Sequence, residues 1–209
     1  MPVLREARMD DLEAIGQVAH ATGFFGASAE RFFPDPTLFT DLWVRPYLAG
    51  AGCGNWVAED AGAILGYIIG TCDLQAYGRW MLGYGPRVLK DALFGRYPNV
   101  LGALPYLLRM ARYPSRLAPF GLYPAQLHVN LLPGSRGMGL GGQLLEHFLH
   151  DLRRRKVRGV QLSTTRDNSA ALGLYQRFGF ETFREYPSPL WRPWLGRDAI
   201  HLTMTLALT

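Results

Sequence analysis

The chain has 209 residues, of which 48% are hydrophobic and 19% charged, and its net charge is +5 at neutral pH. This length and balance predict one folded domain and exclude a disordered chain. No apolar run approaches the roughly 18 residues of a membrane-spanning helix, and the first residues lack a signal-peptide pattern. We therefore expect a cytoplasmic protein with no membrane contact, whose positive charge favours an anionic ligand without identifying it.

The chain contains only two cysteines, Cys53 and Cys72, and their spacing does not match a metal site. We expect no disulfide framework, in keeping with a reducing cytoplasm. We also expect no bound metal.

The first third of the chain predicts a strand followed by helices. Residues 3–8 alternate weakly and indicate a strand, after which Asp10 or Asp11 caps a helix with an apolar face. A second helical pattern covers 36–49, although Pro46 limits its regularity.

A β-hairpin follows. The glycine-rich run 49–54 resembles a phosphate loop, but it leads into a strand and not a helix, so a flexible turn is favoured. Two apolar segments, 55–59 and 63–71, are separated by a turn and predict an antiparallel pair.

Residues 74–122 differ in character, with seven arginines or lysines against the single acid Asp91. Leucines between 101 and 110 suggest a short amphipathic helix, so we interpret the segment as a helical insertion between strands. It is either a solvated basic surface over an apolar underside or a lid that covers a substrate.

The second half of the chain alternates strands and helices more clearly. We predict strands over 126–132 and 160–164, a strand after Phe180 and a final strand over 199–206, with helices over 139–156 and 168–177. The cations at 153–156 suit the C-terminal end of a helix better than a nucleic-acid patch.

The glycine-rich turn over 134–142 carries the clearest chemistry. A helix N-terminus has unpartnered amides and a positive dipole end, and glycines let that backbone approach an anion closely. Successive amides over 137–142 therefore suit a pyrophosphate, and Arg136 adds a fixed positive charge.

The same glycines also fit the dinucleotide pattern GxGxxG through Gly137, Gly139 and Gly142. That fold requires the glycines directly after a strand and an acid about 20 residues later. Here 133–135 intervenes and 158–165 contains no acid, so the dinucleotide interpretation is disfavoured.

The run Arg136-x-x-Gly-x-Gly141 resembles the acetyl-CoA signature of the GNAT superfamily of N-acetyltransferases, and 167–180 resembles its second motif. The resemblance implies a mixed α/β fold, with a largely antiparallel sheet and one splayed parallel pair. It implies a single domain over 1–209, with 123–185 as the acetyl-CoA-binding core and 74–122 as an insertion foreign to the family.

The resemblance also implies roles for individual residues. The backbone of Asn130, Leu131 and Leu132 would bind the pantetheine arm and thioester, and Tyr175 would lie near the sulfur as an acid. The other expected cofactor contacts are Arg136, Gly137, Met138, Gly139, Leu140, Gly141, Gly142 and Asn168.

The general base is open between His128 on the cofactor strand, Asp73 after the third strand, and a water relay. Several aromatics would shape an acceptor pocket, namely Tyr77, Trp80, Tyr84, Tyr106, Trp191 and Trp194. The expected activity is acetyl transfer from acetyl-CoA to a primary amine of a small molecule or peptide, and the alternative is a CoA-binding module without transferase activity. Nucleic acid is disfavoured as a partner, and a homodimer is left open.

Overall fold

A computed structural model describes residues 1–208, and its centre is a seven-stranded sheet in the order β1-β2-β3-β4-β5-β7-β6. Only β4 and β5 pair in parallel, so the predicted largely antiparallel sheet with one parallel pair is confirmed. The strands are β1 (Val3–Glu6), β2 (Trp56–Asp60), β3 (Ala63–Thr71), β4 (Ala125–Leu131), β5 (Gly159–Thr165), β6 (Glu181–Ser188) and β7 (Ala199–Ala207).

Helices cover both faces of this sheet because its strands are apolar on both sides. On one face lie α1 and α2, whose side chains share a core with Ile69 of β3. On the other face lie α5 and α6, which pack on Ile68 and its neighbours. The helices are α1 (Leu12–Thr22), α2 (Pro36–Trp43), α3 (Leu74–Leu93), α4 (Val100–Arg112), α5 (Leu140–Arg154), α6 (Ser169–Arg177) and α7 (Arg192–Leu195).

The parallel pair opens soon after it begins. Strand β4 pairs with β3 along its whole length, from Gln126 to Leu131. With β5 it pairs only at Ala125 and Gln126, beyond which the two strands have no ladder contact. The rest of β4 therefore offers an open edge inside the sheet.

The insertion contains two helices where the sequence indicated one short one. The second, α4, matches the leucine pattern, whereas α3 was hidden because Pro86 and several glycines lie within it. No helix among residues 1–208 is long and apolar enough to span a bilayer.

The two ends of the insertion meet at its base, where the Leu74 amide donates to the Pro124 carbonyl across 2.8 Å. The returning chain is fixed to the sheet by the fully buried amide of Gln161. This side chain accepts from Ala118 N at 2.7 Å and donates to the carbonyls of Ala118 and Tyr123. The insertion is thus anchored where it enters and leaves the sheet.

The two cysteines form a disulfide, which corrects the expectation from the sequence. Cys53 precedes β2 and Cys72 follows β3, and pairing of these strands brings their Cα atoms to 5.8 Å. The glycine-rich run 49–54 around Cys53 begins in the irregular end of a short π-helix (Tyr47–Ala51) and has left-handed backbone at Gly50 and Gly54 before it enters β2.

Candidate active site

A row of polar side chains lies on the α1 face of the sheet, beside the opening between β4 and β5. Strand alternation points alternate residues of β4, β5 and β7 to this face, while their neighbours fill the opposite core. The row forms the floor of a cavity of about 310 Å³ and consists of Gln126, His128, Asn130, Ser163, Thr165 and His201. We call this the larger cavity.

Aromatic side chains form the wall opposite that floor. The Trp191 ring lies 5.0 Å from Phe32 and 5.2 Å from Tyr106, measured between centroids, and all three line the larger cavity. Of the aromatics predicted to shape an acceptor pocket, Trp191 and Tyr106 line it, whereas Tyr77, Trp80, Tyr84 and Trp194 do not. The further aromatic residues in the wall are Phe25, Phe39, Trp43 and Tyr113.

The lining of the larger cavity carries no formal charge. Among residues 1–208 none of the side chains lining it belongs to Asp, Glu, Lys or Arg. Its ionisable groups are two imidazoles, His128 and His201, and three phenols, those of Tyr67, Tyr106 and Tyr113. An ammonium group entering here therefore meets no carboxylate that would stabilise its charge.

His128 lies on β4 with its Nε2 3.1 Å from the hydroxyl of Tyr47. Burial lowers the pKa of His128 to about 4, so the imidazole is neutral at pH 7. Tyr47 itself stacks on Tyr77, with centroids 4.9 Å apart, which ties the insertion to this part of the site.

His201 on β7 was not singled out from the sequence. Its ring lines the larger cavity and lies 5.6 Å from that of Tyr186. Burial lowers the pKa of His201, and its Nε2 has no hydrogen-bond partner within residues 1–208. The sequence did contain a signal for His201, namely the strong alternation of polar and apolar residues in the final strand. This alternation places His201 on the face of the sheet opposite Leu202.

Asp73 takes a structural position. It is exposed and caps α3, with one carboxylate oxygen accepting from Gln75 N at 2.8 Å and Ala76 N at 3.0 Å. It does not line the larger cavity.

Tyr175 of α6 is buried on the opposite side of the sheet, where its ring packs against Phe180 at 5.6 Å. Burial raises the pKa of Tyr175, so the phenol keeps its proton at neutral pH. Burial also raises the pKa of Tyr67, and the nearby Tyr175 phenol adds to this effect. Tyr67 lines the larger cavity, so Tyr175 lies near that cavity without lining it.

A smaller cleft of about 160 Å³ continues from the larger cavity toward the glycine loop. Four residues line both spaces, namely Thr22, Phe25, Asn130 and Asn168. Arg136 and Gly141 line the far part of the smaller cleft. The two spaces therefore form one path from the start of α5 to the polar floor.

The glycine loop presents free backbone donors to that path. Gly137 and Gly139 have φ of 80° and 78°, a left-handed conformation that glycine adopts readily. The amides of residues 137–141 have no hydrogen-bond partner within residues 1–208, whereas the Gly142 amide donates to Gly139 O at 3.1 Å. Five successive donors at a helix N-terminus suit a pyrophosphate.

Arg136 is positioned beside these amides by the loop that follows α1. Its guanidinium donates to the Gly26 carbonyl across 2.6 Å. Asn168 caps α6 by accepting from Ala171 N at 3.4 Å, which leaves its amide group beside the smaller cleft. Both residues thus border the space that leads to the glycine loop.

The backbone of β4 supplies further donors and acceptors. The Leu132 amide donates to Leu65 O and its carbonyl accepts from Ser135 N, so the Leu132 backbone is already engaged. Because hydrogen-bonded pairs alternate in an antiparallel ladder, the backbone groups of Val129 and Leu131 face the open edge. Of the three backbones expected to contact pantetheine, only that of Leu131 therefore faces the open edge, where the backbone of Val129, which was not expected, joins it.

Comparison with known proteins agrees with this geometry. Residues 123–180 match the model of the Acetyltransferase (GNAT) family. The solved structure of SsHAT covers 100% of this chain and 98% of its own, with a TM-score of 0.68 and 26% identity.

Two more distant structures share the fold. The putative acetyltransferase yncA from Salmonella typhimurium, solved with acetyl-CoA, has a TM-score of 0.62 at 19% identity and covers 100% of this chain and 95% of its own. The ribosomal-protein-S18-alanine N-acetyltransferase from Escherichia coli has a TM-score of 0.59 at 17% identity, with the same coverages. Residues 123–180, which include the glycine loop and α6, are thus similar in sequence to the Acetyltransferase (GNAT) family, and the whole chain has a fold similar to those of these structures.

Proposed function

We propose that this protein transfers an acetyl group from acetyl-CoA to the primary amine of an acceptor held in the larger cavity. The observation that carries this proposal is that the smaller cleft beside the glycine loop continues into the larger cavity above the polar floor. Four residues line both of these spaces. Such a path lets a thioester and an amine meet where β4 and β5 separate.

The residues along this path suit acetyl-CoA in order. The free amides of 137–141 and the Arg136 guanidinium would bind the pyrophosphate. The open edge of β4 would hold the pantetheine arm, with backbone groups of Val129 and Leu131 as partners. A free amide there would also polarise the thioester carbonyl, which favours attack.

The uncharged lining indicates how the acceptor enters. For an alkylamine with a pKa of about 10.4, removing the proton of the ammonium form at pH 7 costs about 4.6 kcal/mol of free energy. Desolvation in the larger cavity lowers that pKa, since no carboxylate stabilises the ammonium form. We propose a compact acceptor with an apolar or aromatic body, either a small molecule or the first residue of a peptide.

The transfer then needs one group that accepts the proton of the amine and another that donates a proton to the leaving thiolate. The amine nitrogen forms a bond to the acetyl carbon as the carbon–sulfur bond breaks, and the amine proton passes to an imidazole. We propose His201 for this role because its Nε2 has no partner within residues 1–208, whereas Nε2 of His128 is already bonded to Tyr47. Tyr175, whose phenol carries its proton at neutral pH, would donate that proton to the leaving thiolate.

A thiol-release assay over a panel of amines tests the activity. We expect release with arylalkylamines or aminoacyl amides and little with polyamines, which carry several charges into an uncharged cavity. Calorimetry with acetyl-CoA tests the binding site separately. No binding at high micromolar concentration would overturn the proposal at its first step.

The second candidate is a CoA-binding module without transferase activity. It is favoured by the lack of a carboxylate among the described residues that line the larger cavity, because a carboxylate would be the simplest base. Tight acetyl-CoA binding without thiol release from any amine in the panel would support this candidate instead.

A further inference from the structure

Apolar side chains are concentrated on the outer surface of the insertion. Of the fifteen large apolar residues exposed in the described chain, ten lie within 74–122. Folded proteins rarely leave such a cluster in water unless it contacts something. Of the two alternatives left open for 74–122, a solvated basic surface over an apolar underside does not describe this distribution.

The exposed residues form a row on each helix. On α3 the row consists of Leu82, Leu89 and Leu93, which are 80%, 63% and 79% exposed, and Phe94 follows at 80%. On α4 the row consists of Leu101, Leu104 and Leu108, of which Leu101 is 76% exposed. Spacings of three, four and seven residues keep each row on one helix face.

Both rows point away from the same core. The inward residues Tyr77 and Val88 of α3 pack on the cluster that contains Ala103 and Tyr106 of α4. Each helix therefore buries the face opposite its own apolar row in this cluster, and each row points outward.

Cations lie along one flank of the α3 row. Arg79 and Lys90 are exposed, and at 100° per residue they fall beside the leucines and away from buried Tyr84, whereas Arg87 falls on the side of Tyr84. Asp91 is the one acid of the whole insertion. An apolar stripe with a basic flank suits the interface of a membrane with anionic headgroups.

We propose that the outer face of α3 and α4 binds the surface of an anionic membrane. The leucine rows and Phe94 would enter the headgroup region, and Arg79 and Lys90 would contact the phosphates. A second copy of the chain fits this face less well because its cations would then oppose one another. Nucleic acid would leave the leucine rows in water. This inference departs from the expectation that the protein makes no membrane contact.

Vesicle flotation with the whole protein tests this surface. We expect binding to vesicles with equal parts phosphatidylglycerol and phosphatidylcholine, and none to phosphatidylcholine alone. A variant with Leu82→Gln, Leu89→Gln and Leu93→Gln should bind about tenfold more weakly or worse, since binding strength scales with buried apolar area. Glutamine keeps a good helix propensity, and circular dichroism checks the fold.

A charge-matched pair of variants separates this surface from general attraction. Arg79→Gln and Lys90→Gln remove two cations from the flank, and Arg153→Gln and Arg154→Gln remove two exposed cations from the end of α5. The first double variant should lose binding, and the second should keep most of it. Equal losses in both double variants would overturn the proposal.

Phe94→Trp introduces a fluorescent probe of membrane insertion and leaves the leucine rows intact. On anionic vesicles with brominated acyl chains, its emission should be quenched more than that of the wild-type protein. The proposal is wrong if the wild-type protein ignores anionic vesicles, or if the leucine variant binds them as well as the wild type does. Concentration-dependent dimerisation that the leucine variant abolishes, without vesicle binding, would assign this face to a second copy.

Discussion

The side chain of Asn130 donates to the Thr22 hydroxyl across 2.6 Å, and this hydroxyl in turn donates to the Val18 carbonyl across 2.7 Å. The contact joins β4 to α1 where the larger cavity and the smaller cleft meet. It therefore fixes the width of the path at the point where thioester and amine are proposed to react.

Thr22→Val should disturb that junction. The change leaves the Asn130 amide without its partner, so we expect a loss of about 1–2 kcal/mol in unfolding free energy and a higher KM for acetyl-CoA. Thr203→Val is the matched control, because the Thr203 hydroxyl donates to Arg116 O away from both cavities. Urea unfolding should show similar losses for both, with KM raised only by Thr22→Val.

Gly139→Ala should weaken acetyl-CoA binding more than it affects folding elsewhere. An alanine at φ of 78° costs about 1–2 kcal/mol, and relief of that strain turns the free amides away from the anion. The control is Gly134→Ala, since Gly134 has ordinary φ and open space around it. Calorimetry that finds equal affinities for the two variants would contradict this role of the loop.

Tyr175→Phe tests the proposed acid. Removing the hydroxyl should slow thiol release by about 100-fold at neutral pH while acetyl-CoA binds as before. Tyr123→Phe, in the segment that returns from the insertion, should keep the wild-type rate. An unchanged rate for Tyr175→Phe would reject its role as proton donor.

The half-buried imidazole of His128 predicts how stability depends on pH. Its pKa falls from 6.5 to about 4 on folding, so the unfolded chain binds more protons between those values. Stability contributed by neutral His128 is therefore present above about pH 6.5 and declines, by roughly 3 kcal/mol, as pH falls toward 4. His128→Gln should flatten urea midpoints measured across this window. A slope identical to that of the wild type would show that other groups dominate.

The disulfide between Cys53 and Cys72 should stabilise the hairpin of β2 and β3. It closes a loop with a sequence separation of 19 residues, for which the entropic gain is about 3 kcal/mol. Adding reductant should lower the melting temperature of the wild type. The double variant Cys53→Ala and Cys72→Ala should melt at that lower temperature with or without reductant.

Local patterns were enough to predict much of the fold. Strand alternation and helix spacing identified β4, α5, β5 and α6 in order, because each element buries its own apolar face. The glycine loop was recognisable because its residue types reflect local backbone needs at Gly137 and Gly139.

Contacts between distant segments could not be predicted in this way. The cysteines lie 19 residues apart and meet only because β2 pairs with β3, which residue counting does not reveal. The polar floor combines β4, β5 and β7, so the position of His201 depends on the order of strands in the sheet. Helix α3 was missed because packing outweighs the weak local propensity of its glycines and Pro86.

The hydrogen bond between Leu74 N and Pro124 O has an evolutionary consequence. Since the insertion leaves and rejoins the sheet at neighbouring points, segment 75–123 forms an exchangeable cassette. Another segment could replace it while β3, β4 and the glycine loop kept their places. A lineage of such proteins could thus change the molecules it acetylates, or the surface on which it works, without rebuilding the part that suits acetyl-CoA.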